Sequence, residues 1–324
     1  MSRNAQIRAG VCAAACNLFS RRRARSFTCG VNACPSGIPT GALRVLLDGQ
    51  APLGEQLGRL ADRRMVFVAG LPGTGKSLLV NQLVHIAARV GRLVHLLQWD
   101  VARPSFEASE AGRRYPQVGG VTHAVVRKAT GLWARGALVA WDARHPAPEH
   151  LLIGETPFVG NRFVELAQRL DDRAEALLTA ASCRFAIAVP SREVRRFIEA
   201  ERERRSASPR HPREREDAPP RVLRDLWRDL ASIELPSTGD APAPPYDPLL
   251  YQRVYERVLR HRPREVLTLD AILPTSTPSV YDFDVQTRDL APSEPEADLF
   301  VREVERRYPD LAVLDAEIAR WWQT

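Results

Sequence analysis

Gly70-Leu71-Pro72-Gly73-Thr74-Gly75-Lys76-Ser77 matches the phosphate-binding loop spacing G-x-x-x-x-G-K-[ST] at every specified position. The flanks agree with it. Met65 to Ala69 is a short apolar run suited to a strand, and Leu78 to Ala87 carries apolar residues at the spacing of a buried helix. In a strand, glycine loop and helix, the glycines let backbone N–H groups turn toward phosphate oxygens, and the helix N-terminus adds partial positive charge. The spacing assigns the phosphate contacts to Gly70, Pro72, Gly73, Thr74, Gly75, Lys76, Ser77 and Leu78. Lys76 reaches the β- and γ-phosphates and the Ser77 hydroxyl holds Mg²⁺. Only two lysines, Lys76 and Lys128, occur among 46 basic residues, so a lysine at this one place argues against coincidence. The expected ligand is a nucleoside triphosphate.

Working outward, 324 residues can bury one large core or two modest ones. No stretch approaches the roughly 18 apolar residues that a membrane-spanning helix needs, so no membrane partner is expected. The pI of about 9.5 suggests a nucleic-acid partner, but the charge is local. Residues 1–44 hold seven arginines and no acid, and from Val45 onward 39 basic residues meet 39 acidic ones. A nucleic-acid groove on the folded body is therefore not expected. Cys12, Cys16, Cys29 and Cys34 fall in the same segment, leaving Cys183 alone in the remainder. Their spacing lacks the tight C-x2-C pairs of a zinc site. A disulfide framework does not suit a nucleotide-binding protein of a reducing compartment, so the expected location is cytoplasmic. Residues 1–44 read as an unstructured or targeting-like extension, or as a translation start placed too far upstream. Residues 45–275 form the expected nucleotide-binding domain and 276–324 a C-terminal helical extension.

Along the chain, a helix over Ala51–Arg64 leads into the first strand, and Gly91 closes the helix that follows the loop. Arg92 to Gln98 is a second strand closing on Trp99 and Asp100. Val101 to Gly120, with Pro104 and Pro116, is expected to be mostly loop. Val121–Arg144 has two readings. A strand at Ala137–Trp141 would end in Asp142 as an apparent Walker B acid. The preferred reading is a long helix, with the strand at Leu151–Glu155, because a crossover between parallel strands needs a helix there. Phe163 to Ala181 has a helical pattern, Cys183 to Pro190 is a fourth strand, and Ser191 caps the next helix. Helices at Arg221–Ala231 and up to Arg260 flank a proline-rich linker. Glu265 to Asp270 is a fifth strand, and short helices are expected near Glu296–Arg307 and Val313–Trp322. Strands alternating with helices predict a parallel sheet covered on both faces.

The loop, an aspartate closing the second strand, an acidic end to the third, an arginine-rich segment after the fourth and a short fifth strand together resemble the nucleoside/nucleotide-kinase group of P-loop NTPases. That group includes small-molecule and zeta-toxin-like kinases. The resemblance spans roughly Arg63 to Asp270 and implies an α/β three-layer sandwich whose five-stranded parallel sheet has the order 2-3-1-4-5. Phosphoryl transfer to a hydroxyl wants a carboxylate near the acceptor oxygen, and Asp100 is placed for it at a strand's C-terminal end. The alternative for Asp100 is a carboxylate capping the next turn. Arg103 could clamp the acceptor. Glu155 could hold Mg²⁺, with Asp142 as its rival, and Arg162 could face either the phosphates or Glu155.

The run 192–217 holds nine arginines and seven acids. Most fit a solvated helical face with pairs such as Glu201 and Arg205. In the kinase group this position carries a lid whose arginines close on phosphates, and Arg202 and Arg205 lead Arg204 and Arg213 as candidates. His85 and His95 read as packed core histidines, and His123 and His211 as more open ones. The expected activity is ATP- and Mg²⁺-dependent phosphotransfer to an unidentified small-molecule hydroxyl or phosphate. The alternative is an ATP-hydrolysing switch. No Asn/Thr-Lys-x-Asp sequence occurs, which favours ATP over GTP.

Overall fold

A computed structural model describes residues 52–209, 211, 214, 218–235, 244–272, 281 and 285–324. The expectations for residues 1–44, including the four clustered cysteines, lie outside the described residues, as does Arg213.

The elements run α1 (Leu53–Ala61), β1 (Met65–Ala69), α2 (Lys76–Arg89), β2 (Leu93–Gln98), α3 (Trp99–Ala108), α4 (Ala124–Arg144), β3 (His150–Thr156), α5 (Arg173–Thr179) and β4 (Cys183–Pro190). They continue with α6 (Arg192–Ala207), α7 (Pro220–Ala231), α8 (Pro248–Val258), β5 (Arg264–Leu269), β6 (Thr287–Asp289), α9 (Glu294–Arg307) and α10 (Leu311–Ala319). All six strands form one sheet in the order β5-β4-β1-β3-β2-β6, and every pairing is parallel.

This corrects the expected five-stranded sheet with order 2-3-1-4-5: a sixth strand lies outside β2. Thr287, Arg288 and Asp289 pair with Val94, His95 and Leu96, and Leu290 donates a further hydrogen bond to the Leu96 carbonyl at 2.7 Å. Three polar residues carry no apolar run or alternation, so only the open edge of β2 makes them a strand. Residues 285–324 supply β6 and add Ala297, Val301, Val304, Leu314, Ile318 and Trp321 to the larger core.

Alternation along the strands builds three layers, because successive side chains of a strand point to opposite faces. Val66 and Val68 of β1 join Leu79, Val80, Leu83 and Val84 of α2 in one core. Met65, Phe67 and Ala69 face the other way, into a core shared with α3, α4, α5, α8 and α9. Gly154 on β3 pairs with Phe67. A Cβ at Gly154 would stand 2.4 Å from the Phe67 ring, so the missing side chain lets that ring stack on Phe185 with centroids 4.7 Å apart. No helix among the described residues is long and apolar enough to cross a membrane.

Two further expectations are corrected. Val101–Gly120 was expected to be loop, yet α3 runs through Pro104, which forfeits one main-chain bond. Burial of Trp99, Ala102 and Phe106 on one face outweighs that loss. The chain then turns tightly enough that a Cβ at Gly112 would meet the Phe106 carbonyl at 1.7 Å. Conversely, Phe163–Ala181 is not one helix but a 3₁₀ turn at Val164–Leu166 and the short α5. Two buried arginines explain the break. Arg135 donates to the carbonyls of Glu165 and Gln168, and Arg262 to those of Leu166 and Gln168. Carbonyls that a helix would satisfy internally are taken by guanidinium groups instead. The preferred helical reading of Val121–Arg144 agrees with α4. Asp142 therefore lies on a helix, paired with Arg64 at 3.1 Å, and not at a strand end, which removes it as a rival to Glu155.

Candidate functional site

The loop 70–77 opens onto a cleft of about 860 Å³ at the C-terminal ends of the strands, lined by residues from the loop, Gln98 to Pro104, Glu155, α6 and the end of β5. Ligands of open α/β sheets bind in such a crevice. Gly75 caps α2 in the left-handed conformation, at φ 84°, and no side chain caps the helix. Gly73 is left-handed as well, at φ 75°, and a Cβ there would stand 2.9 Å from Leu223. Among the described residues, no protein acceptor takes the amides of Gly73, Thr74, Gly75, Lys76 or Ser77. Five successive donors at a helix N-terminus beside a cleft suit an anion.

Lys76 is buried. Its ammonium donates to the Leu71 carbonyl at 2.9 Å and lies 3.6 Å from Glu155 Oε1. Burial lowers its pKa; the Glu155 charge opposes this, Arg202 adds to it and Asp100 opposes it. Glu155 was expected to meet Mg²⁺ or an arginine such as Arg162; the ion pair seen here is with Lys76.

Asp100 occupies the first turn of α3 and lines the cleft with Arg103, one turn further along. Arg103 holds Glu107 at 2.5 Å. Asp100 makes no hydrogen bond or ion pair of bonding length among the described residues, so its carboxylate caps nothing. Arg162 reaches the same cleft from a tightly turned loop in which Phe158, Asn161 and Phe163 all have positive φ. Three non-glycine residues in the left-handed region mark stored strain, a pattern that gathers at functional sites. The Arg162 guanidinium also lacks a hydrogen-bond partner among the described residues. Burial disfavours its charge, the Asp100 carboxylate supports it and Arg103 opposes it.

Ser191 caps α6 through the Val194 amide. Arg195, Ile198, Arg202 and Arg205 then recur at helical spacing on one face. Arg202 and Arg205 line the cleft. Arg202 donates to the Ala218 carbonyl at 3.1 Å, and Arg205 binds Glu201 at 3.1 Å and the buried Glu214 at 3.4 Å. Arg204 is exposed, paired with Glu201 and absent from the cleft lining. Lys76, Arg103, Arg162, Arg202 and Arg205 thus face the cleft against Asp100, Glu155 and Glu201. This excess of cations favours a polyanionic ligand, although the chain beyond the N-terminal segment is neutral. Val194, Ile198, Leu269 and Ile272 form an apolar wall beside the loop.

Two supports of the loop were not legible in the sequence. Arg195, fully buried, donates to the carbonyls of Pro72 and Gly73, each at 3.1 Å, and to Glu199 at 2.7 Å. Tyr251 accepts the Leu71 amide at 3.0 Å, and its hydroxyl would stand 2.6 Å from a Cβ at Gly70. The spacing of Arg195 from Arg202 carried a signal; Tyr251, 180 positions from Leu71, carried none. No protein-family model, curated protein or solved structure matches the chain.

Proposed function

We propose that the chain is an ATP- and Mg²⁺-dependent phosphotransferase of the P-loop NTPase type, acting on a small-molecule hydroxyl or phosphate. The observation that carries this reading is the run of five uncommitted amides, Gly73 to Ser77, beside the buried Lys76. The residues fit the group: left-handed Gly73 and Gly75 aim the donors, and the cleft has room for a nucleotide. In this reading ATP supplies the transferable phosphoryl group and Mg²⁺ offsets its charge. The Ser77 hydroxyl and Glu155 would hold the metal, and the wall of Val194, Ile198, Leu269 and Ile272 would receive the base.

The chain's own groups do the rest. Lys76 exchanges its Leu71 carbonyl for a phosphate oxygen, which compensates a buried ammonium better than a neutral acceptor does. Arg202 and Arg205 face the developing charge from α6, which acts as the lid. Asp100, with no competing partner, accepts the proton of the acceptor hydroxyl. Arg162 and Arg103 flank Asp100 and orient an anionic or polar acceptor. The test is nucleotide binding by calorimetry, followed by ADP formation across a panel of hydroxyl- and phosphate-bearing metabolites. Lys76→Ala is expected to lose ATP affinity at least roughly tenfold, about 1.4 kcal/mol or more, while its thermal unfolding stays cooperative. Wild-type affinity in that variant would overturn the reading.

A further inference from the structure

At the opposite ends of the strands from the cleft, three of the chain's seven histidines meet. His95 is the third residue of β2, His150 opens β3 and His145 follows the last residue of α4. The Nε2 of His95 lies 3.0 Å from the Nδ1 of His150, and one nitrogen from each of the three rings falls within 4.8 Å of the others. Tetrahedral zinc with bonds of about 2.0–2.1 Å places its nitrogen ligands roughly 3.3 Å apart. The observed pair is close to that edge length, and the third ring keeps a nitrogen within 4.8 Å of both. None of the three lines the cleft.

Their positions are built from behind. Arg64 donates to the carbonyls of Ala147 and His150, at 3.0 and 3.1 Å, and to that of His145. Its guanidinium lies 4.3 Å over the Trp141 ring and binds Asp142. Arg92 adds a bond to the His150 carbonyl at 3.2 Å. The main chain from 145 to 150 is thereby clamped with both rings turned toward His95. Trp141 packs edge-on against His95, at 5.6 Å between centroids. Such outer support is what orients metal-binding imidazoles. His95 is buried, while His145 and His150 are partly exposed, which leaves a path for an ion.

We propose that His95, His145 and His150 form a binding site for a transition-metal ion of the Zn²⁺ type, distinct from the cleft. Three imidazole nitrogens without a carboxylate favour Zn²⁺, Co²⁺, Ni²⁺ or Cu²⁺ over Mg²⁺ and Ca²⁺. Arg64, Arg144 and Arg288 lie near the three rings and repel a bare cation. The fourth position therefore takes an anion such as hydroxide or chloride. Bound there, the ion ties β2, β3 and the end of α4 together.

The experiment is a titration of chelator-treated full-length chain with Co²⁺ and then Zn²⁺, without nucleotide. The expected result is one Co²⁺ per chain with the intense visible bands of a four-coordinate ion, displaced by one Zn²⁺, and a higher melting temperature with Zn²⁺. His145→Gln and His150→Gln, at partly exposed positions, should melt like wild-type without metal and lose at least roughly tenfold in Co²⁺ affinity. Lys76→Ala should bind Co²⁺ as wild-type does. Less than one equivalent taken up by the wild-type chain at micromolar concentration, or wild-type affinity in the His145→Gln/His150→Gln double variant, would overturn the proposal.

Discussion

The Arg195 guanidinium holds the carbonyls of Pro72 and Gly73 at 3.1 Å each, from a position that does not line the cleft. It fixes the glycine loop from behind, with its charge balanced by Glu199 at 2.7 Å. Arg195→Met should weaken nucleotide affinity roughly tenfold, because buried hydrogen bonds from a charged group are each worth about 1.5–3 kcal/mol and the loop would lose its shape. Turnover at saturating nucleotide should fall much less. A calorimetric Kd beside a saturating rate separates this positioning role from a catalytic one; equal losses in both would refute it.

Asp100→Asn keeps size and polarity but removes the proton acceptor. We expect transfer to fall by ~10²–10⁴-fold with ATP affinity nearly unchanged. A basal ATPase that needs no acceptor and is indifferent to this substitution would favour a nucleotide-driven switch instead.

Glu175 sets an acid limit on the fold. Burial alone would raise its pKa, but hydrogen bonds from Arg262 and Arg135 more than reverse this and bring it from 4.5 to about 2. Since the folded value lies below the unfolded one, the contribution is fully present above about pH 4.5 and is lost as pH falls toward 2. Glu175→Gln should therefore cost about 2 kcal/mol at pH 7, and the gap from wild-type should narrow near pH 3. Urea unfolding at the two pH values measures it, and a gap that does not shrink would show that the ion pairs are not its source.

Gly154→Ala places a methyl group 2.4 Å from the Phe67 ring in the middle of the sheet. Overpacking there should cost about 1–3 kcal/mol, and Phe67→Leu in the same chain should recover part of it. Strict additivity of the two losses would contradict a direct clash.

The sequence by itself determined the glycine loop between β1 and α2, the alternation of strand and helix, and the strand ends beside which Asp100 and Glu155 lie. Each is a local pattern: eight residues of fixed spacing, or an apolar run whose period states its own geometry. The strand at Cys183–Pro190 was legible for the same reason, whereas the helix over Ala124–Arg144 was preferred over a strand because a crossover between parallel strands needs one. Only the tertiary structure decided where distant parts override local preference. Burial keeps α3 helical through Pro104, and Arg135 and Arg262 unwind a stretch of helical pattern after Phe163 by taking its carbonyls. The open edge of β2 makes a strand of three polar residues. Tyr251 under Leu71, and His95 beside His145 and His150, are contacts across 50 to 180 positions. Such pairings leave no periodicity in a chain, because they arise from how the layers close and not from how any one element forms.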